Sequence, residues 1–385
     1  MKNRRHIAIN IMGLILAAIA FMLVLCITFI DRTAYANVKS NSIASPTPYP
    51  TIKPDQSSAQ LTYTGGQASQ KPLPHNISIV FCGDIMLDGS VRNIINKYGL
   101  DSVFPKEYRT PFQNADITMI DLEMPISNKG IPVPDKEYTY RGDPSGIELL
   151  KDMGVNIVTL ANNHTLDYGQ DAFMNTIDLL NQNGIKHVGG GKDLDEAKQW
   201  VTMQAGDKKV AFLAASRVIP ALDWYATKNR PGLFGTYDPT ELNKQIDLAK
   251  KEADYVVVFA HWGVEKNTVP EKYQQNLAHG YIDAGADLVV ACHTHVLQSF
   301  EYYKDKLIAY SLGNFIFTDV QKDTAALEIN ISDNGSVLAR IYPYEITNRT
   351  TAPMTDPYKL ANLRKHLNNI SFGLEVDEKF MLIKN

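Results

Sequence analysis

At 385 residues the chain has room for two average domains or for one large α/β domain with additions. A hydrophobic fraction of 44% beside 21% charged residues excludes a disordered or fibrous protein. The formal net charge of -4, with no basic stripe carrying interleaved aromatics, excludes nucleic acid as an expected partner.

The N-terminal end is amphiphilic along its length. Ile7 to Ile30 is an apolar stretch without a formal charge, long enough for a hydrocarbon core of about 30 Å. Lys2, Arg4 and Arg5 precede it, so the positive-inside rule predicts a cytoplasmic N-terminus and an exported remainder. Thr33-Ala34-Tyr35-Ala36 resembles a signal cleavage site, but the apolar run is longer than a signal core, and an uncleaved anchor over 1–36 is expected. Between 37 and 74, six prolines are interspersed with Ser, Thr, Gln and Gly; such a segment cannot offset its ordering entropy and reads as an extended stalk.

From Asn76 the chain alternates β-branched runs with helical patterns. Strands are predicted at 77–81, 116–120, 156–160, 210–213, 255–259 and 287–291, and helices at 90–98, 145–153, 170–182, 240–251 and 272–283. This alternation predicts an α/β domain with buried sheets over 75–350. Beyond Leu307 strands follow one another, predicting an antiparallel extension, and 351–385 reads as a C-terminal extension packing on or trailing the domain. The three cysteines form no CxxC pair; Cys82 and Cys292 each end an apolar run and are expected as buried free thiols rather than a bridge.

Polar residues cluster where the strands end. The first ends in Gly83-Asp84, the second in Asp121-Leu122-Glu123, and the third in Asn162-Asn163-His164. The 255 strand ends in His261-Trp262-Gly263 and the 287 strand in His293-Thr294-His295. Ligands of α/β sheets bind beyond the carboxyl ends of strands, so these five ends are expected to meet at one sheet edge. Imidazole, carboxylate and amide oxygen without thiolate suit a divalent transition metal (Zn, Mn or Fe), as one ion or a bridged pair.

These segments, with Asp167-x-Gly169, Glu265 and Ser311-Leu312-Gly313-Asn314-Phe315, occur in an order that resembles the CapA, or PgsA-like, family of poly-γ-glutamate capsule synthesis proteins. The resemblance runs from about Ile77 to Phe317. It implies a four-layer α/β/β/α sandwich of metallophosphatase type behind an N-terminal transmembrane helix. It further implies metal ligation by Asp84, Glu123 as the bridging carboxylate, Asn163, His261, His293 and His295, with His164 protonating a leaving group. Two positions depart from the metallophosphatase pattern: Met86 replaces the histidine of Asp-x-His, leaving the first metal one ligand fewer, and Glu123 replaces an aspartate.

Around these, Asp167 is expected to shape the turn after His164, and Trp262 and Glu265 to wall the site or orient His261, with plain packing an equal reading for Trp262. His187 and His279 read as structural; Arg141 and Arg217 could meet an anionic substrate but are expected as solvated surface groups; Gly189-Gly190-Gly191 reads as a turn. The resemblance implies an extracellular, membrane-anchored subunit acting with a ligase and small membrane subunits of a capsule synthase on an anionic polymer. A free-standing extracytoplasmic metal-dependent hydrolase and a polyanion-binding module are the alternatives.

Overall fold

The computed structural model describes residues 76–385. The expected anchor and stalk therefore lie outside the described residues, and among those described no helix is long and apolar enough to cross a membrane.

In chain order the first elements are β1 (Ile77–Ile85), α1 (Gly89–Tyr98), α2 (Thr110–Gln113), β2 (Ile117–Leu122), α3 (Gly146–Asp152), β3 (Ile157–Thr159), α4 (Gly169–Gln182), β4 (Lys186–Val188), β5 (Gly190–Gly191), α5 (Leu194–Lys198), β6 (Val201–Ala205), β7 (Lys208–Ser216) and β8 (Gly232–Leu233). There follow α6 (Thr240–Lys250), β9 (Tyr255–His261), α7 (Lys272–Asp283), β10 (Leu288–Cys292), β11 (Phe300–Tyr303), β12 (Lys306–Ala309), β13 (Asn314–Ile316), β14 (Gln321–Ile331), β15 (Val337–Thr347), β16 (Thr350–Pro353), α8 (Pro357–Ile370), β17 (Leu374–Val376) and β18 (Leu382–Lys384). Two of the long helices start at side-chain caps. Glu271 and Gln274 form a reciprocal capping box on α7, and Asp356 caps α8 ahead of Pro357.

Two large sheets result. The first has the order β16-β15-β14-β1-β2-β3-β4, with β13 also pairing β1; the second has the order β11-β12-β10-β9-β7-β6. Strands β1 to β4 run parallel, as do β7, β9, β10 and β12, while β14 to β16 add antiparallel strands to the first sheet.

The two-residue period of a strand assigns each side chain to a layer. Ile79 and Phe81 of β1 and Met119 of β2 share a core with Phe212 of β7, Val257 and Phe259 of β9, and Val290 of β10, which is the space between the sheets. Their neighbours Val80, Ile120 and Val158 pack with Leu149 and Leu150 of α3 and Phe173 of α4. On the second sheet's other face Val256, Val258 and Val289 meet Ile246 of α6 and Tyr281 of α7. The order of layers is helix, sheet, sheet, helix.

The C-terminal segment packs on the domain rather than trailing from it. Strand β16 extends the first sheet beyond β15, and Leu363, Leu367, Val376 and Leu382 enter the core between the sheets. Cys82 and Cys292 are both buried and free, as expected.

A candidate metal centre between two sheets

The five polar strand ends do not share one sheet edge. Asp84, near the end of β1, and Glu123 and Asn163, just after β2 and β3, belong to the first sheet, whereas His261, the last residue of β9, and His293 and His295, just after β10, belong to the second. The sheets lie face to face, so carboxyl ends from both converge on the seam.

Strand parity explains most of the aiming. Met119 faces the other sheet and Ile120 the helices, so Asp121 faces the other sheet again. Phe259 faces inward and Ala260 outward, so His261 points to the seam and Trp262 away from it. Asp84 needs a further device. Phe81 pairs with Met119 but Asp84 with Asp121, so three residues of β1 advance against two of β2. That bulge flips the alternation and turns Asp84 toward the seam. The same stretch fixes Gly83, because a Cβ there would lie 1.7 Å from the Gly313 carbonyl oxygen, and that carbonyl accepts the Asp84 N–H at 2.9 Å.

On the second sheet the His-x-His turn is held in an unusual backbone. His293 has φ +98° and His295 φ +58°, left-handed values that cost on the order of 1–3 kcal/mol each at non-glycine residues. Thr294 between them is anchored, its Oγ1 2.9 Å from Ser311 Oγ and 3.0 Å from Val296 O. Gly263 leaves room for this turn; a Cβ there would meet Thr294 Cγ2 at 2.4 Å.

Behind the seam, hydrogen bonds saturate the network. Nδ1 of His261 donates to Asp121 at 2.7 Å, and Asn162 Nδ2 donates to the other Asp121 oxygen at 2.7 Å and to Leu122 O at 2.9 Å. Asp121 was part of a sequence motif without an assigned role; the structure makes it the group that orients His261. Glu265, expected near that task, is exposed, and Trp262 is buried in the outer core, donating to Tyr310 O at 3.0 Å and stacking on Tyr281. Asn314 is a second missed residue: its Oδ1 lies 2.7 Å from His295 Nδ1. Its signal was the Ser311–Phe315 motif, and the in-register pairing of Asn314 with Asp84 puts it there. Met86 packs in the helix-side core, away from the seam.

At the seam itself, polar atoms go without partners. Both carboxylate oxygens of Glu123, Oδ1 of Asp84 and Nδ1 of His293 are buried and make no hydrogen bond. Unpaired buried polar atoms cost on the order of 1–3 kcal/mol each, more when charged. Two groups that include histidine gather here: Glu123 with His261 and His293, and Asp84 with Glu123 and His295, the atoms of each within 4.8 Å of one another. Glu123 belongs to both, and a third group, Asp84 with Asp121 and Cys292, shares the Asp84 carboxylate. Burial pushes Glu123 well up from the usual carboxylate range, and the nearby Asp84 and Asp121 push it further. Burial likewise raises Asp121 to about 7 and lowers His261 to about 3. His261 is therefore neutral at pH 7. With its Nδ1–H given to Asp121, its Nε2 lone pair faces Asn163 Oδ1 at 2.6 Å. His261 Nε2 and Asn163 Oδ1 thus sit side by side at the seam, and the donor set there, imidazole, carboxylate and amide oxygen, fits a divalent ion.

Beside this cluster, His164 is buried without joining any of these groups. Its Nδ1 lies 2.7 Å from Asp167 Oδ2, and Asp167 is held in turn by the Lys136 ammonium and by the Tyr140 N–H at 2.7 Å. Lys136 also donates to Asn163 O at 2.6 Å, tying the loop that carries it to the Asn-His pair. Burial lowers the His164 pKa, outweighing the Asp167 carboxylate.

Residues 78–319, which include every candidate ligand, match the family described as bacterial capsule synthesis protein PGA_cap. The chain is 34% identical over 290 residues to the capsule biosynthesis protein CapA of Bacillus anthracis, covering 72% of this chain and 70% of that one. It is 33% identical over 309 residues to the PGA biosynthesis protein CapA of Bacillus subtilis (strain 168), covering 78% and 80%. Among solved structures it is similar to the NAD nucleotidase of Haemophilus influenzae, with TM-score 0.42 and 12% identity, over 78% of this chain and 64% of that enzyme.

Proposed function

We propose, from the premise that this chain belongs to the bacterial capsule synthesis protein PGA_cap family, that it is a membrane-anchored subunit for making or exporting poly-γ-glutamate and carries a divalent metal centre of metallophosphatase type. The observation that carries the metal is the set of buried, unpartnered atoms of Glu123, Asp84 and His293 at the seam. Glu123, His261, His293 and Asn163 would hold one Zn, Mn or Fe ion, and Asp84, Glu123 and His295 a second. What such an ion supplies when bound is polarisation of a substrate oxygen.

The chain's own residues divide the remaining work. Asp121 keeps the His261 Nδ1 protonated and thereby leaves Nε2 as the ligating atom. Asp167 does the same for His164, whose free Nε2 can exchange a proton with a departing group at the seam. Lys136 neutralises Asp167 and fixes the Asn163–His164 peptide. This proton-handling pair favours, as a second reading, a free-standing extracytoplasmic hydrolase acting on phosphoesters or on amide bonds of polymer or wall. The partners in the proposal are the ligase and small membrane subunits of the synthase, with the N-terminus in the cytoplasm and the domain outside.

The test is elemental analysis of purified full-length protein, joined to complementation of a deletion strain. Wild type should carry transition metal, and a variant with His293→Ala and His295→Ala should lose most of it and fail to restore surface polymer. Wild-type protein that purifies metal-free and takes up neither Zn nor Mn would refute the metal centre.

A further inference from the structure

Arg217 follows β7, whose last residue, Ser216, is in register with His261. Its backbone N–H donates to His261 O at 2.8 Å, so it is tied to the strand end that delivers a candidate ligand. The side chain is not the solvated surface group expected from sequence. Its guanidinium carbon lies 4.3 Å from the ring centroid of Tyr237 and 4.7 Å from that of Tyr273, clamped between two aromatic faces. Tyr273 is fixed in turn, its hydroxyl accepting the Gly263 N–H at 2.8 Å, so one wall of the clamp rests on the His261–Gly263 turn. The other wall, Tyr237, is 54% exposed and leaves the clamp open to solvent.

Nε and Nη1 of Arg217 are buried and have no hydrogen-bond partner, and among the described residues no carboxylate pairs with the group. A permanently charged guanidinium held flat by two rings, with donors turned away from water, is ready for a planar anion. Each of its two bidentate edges contains one of the unpartnered nitrogens. An anion seated there would satisfy the orphaned donors, which otherwise cost free energy.

The geometry points to Arg217, with Tyr237 and Tyr273, as a subsite that grips a side carboxylate of an acidic polymer. This rests on the polymer reading above and adds to it the residue that recognises the chain. A phosphate would satisfy the same donors, so the experiment must separate the two sources.

The experiment measures binding of a γ-linked glutamate decamer to detergent-solubilised full-length protein by calorimetry, with inorganic phosphate as a second probe and metal content read on each sample. Arg217→Gln should weaken decamer binding by about 10–100-fold with metal unchanged. Tyr237→Leu, at an exposed position, should weaken it by about 2–5-fold. Equal decamer affinity in wild type and both variants, with metal intact, would sink the Arg217 assignment and leave the metal centre standing. Arg217-dependent binding of phosphate but not of the decamer would overturn the carboxylate. Wild type that holds neither decamer nor metal would refute the polymer reading along with the subsite.

Discussion

The two sheets bring different chemistry to the seam. The first ends in acids and amides: Asp84, Asp121, Glu123, Asn162 and Asn163. The second ends in imidazoles: His261, His293 and His295. Neither set makes a complete site alone, because each group that contains histidine draws its carboxylates from one sheet and its histidines from the other. The centre is thus a product of sheet packing, and the core of Phe81, Phe212, Phe259 and their neighbours is what sets its geometry. Within the seam a second contrast holds. Asp121 is fully bonded and positions a ligand, while Glu123, two residues on, is bonded to nothing.

That contrast predicts opposite effects for two similar substitutions. Glu123→Gln should abolish metal binding, since it removes the carboxylate common to both groups that contain histidine. Yet it should raise the metal-free Tm by roughly 2–5 °C, because burial forces Glu123 to take up a proton on folding at pH 7, a cost the neutral amide does not carry. Asp121→Asn should do the reverse in the metal-free protein. It loses the acceptor for His261 Nδ1–H, costing about 1–3 kcal/mol, and it weakens metal affinity by about 10–100-fold. Thermal melts with and without chelator, beside metal titration, read both. If the two variants shift the metal-free Tm in the same direction, the division between ligand and orienting residue is wrong.

His164 tests the boundary between the seam and its flank. It is buried and bonded through Nδ1 to Asp167, and it belongs to none of the ligand groups. His164→Ala should therefore keep its metal and fold while losing about 10²–10⁴-fold in rate, read as surface polymer in a complemented deletion strain. His164→Gln should fail equally, since an amide can bond Asp167 but cannot exchange a proton. Metal lost on His164→Ala would make it a ligand, and full polymer from both variants would leave it a purely structural role.

Much of this was legible in the chain because strands carry a period of two. The runs at 255–261 and 117–122 already dictate that His261 and Asp121 face one way and Trp262 and Leu122 the other. For Trp262 that parity decides between walling the site and plain packing, in favour of packing. Asp84 could not be placed by alternation, because the bulge that turns it depends on how β1 registers against β2 and β13. Nor could the division between two sheets be read, since parallel strands of either sheet have the same fully buried pattern. Arg217 was misjudged for a related reason: its clamp is built from Tyr237 and Tyr273, and nothing local announces that they converge.

The smallest effect should come from a histidine that serves no site. His187, in β4, is mostly buried with its Nε2 3.4 Å from Glu196 Oε1, and burial lowers its pKa despite that carboxylate. A histidine whose folded pKa lies below its unfolded value binds fewer protons folded than unfolded. Stability then rises with pH through that window and is lost as pH falls below about 6.5. The neutral His187→Gln carries no such dependence. Between pH 7.5 and 5.5 the metal-free wild type should lose stability relative to His187→Gln, and taking the difference between the two proteins cancels the opposing contribution of the seam carboxylates. The expected difference is about 1 kcal/mol or less, and the two variants should hold metal equally. A wild type that gains on His187→Gln as the pH falls would mean that the Glu196 carboxylate outweighs burial at this position. The distinction between a structural histidine and the seam histidines would then have to rest on hydrogen bonding alone.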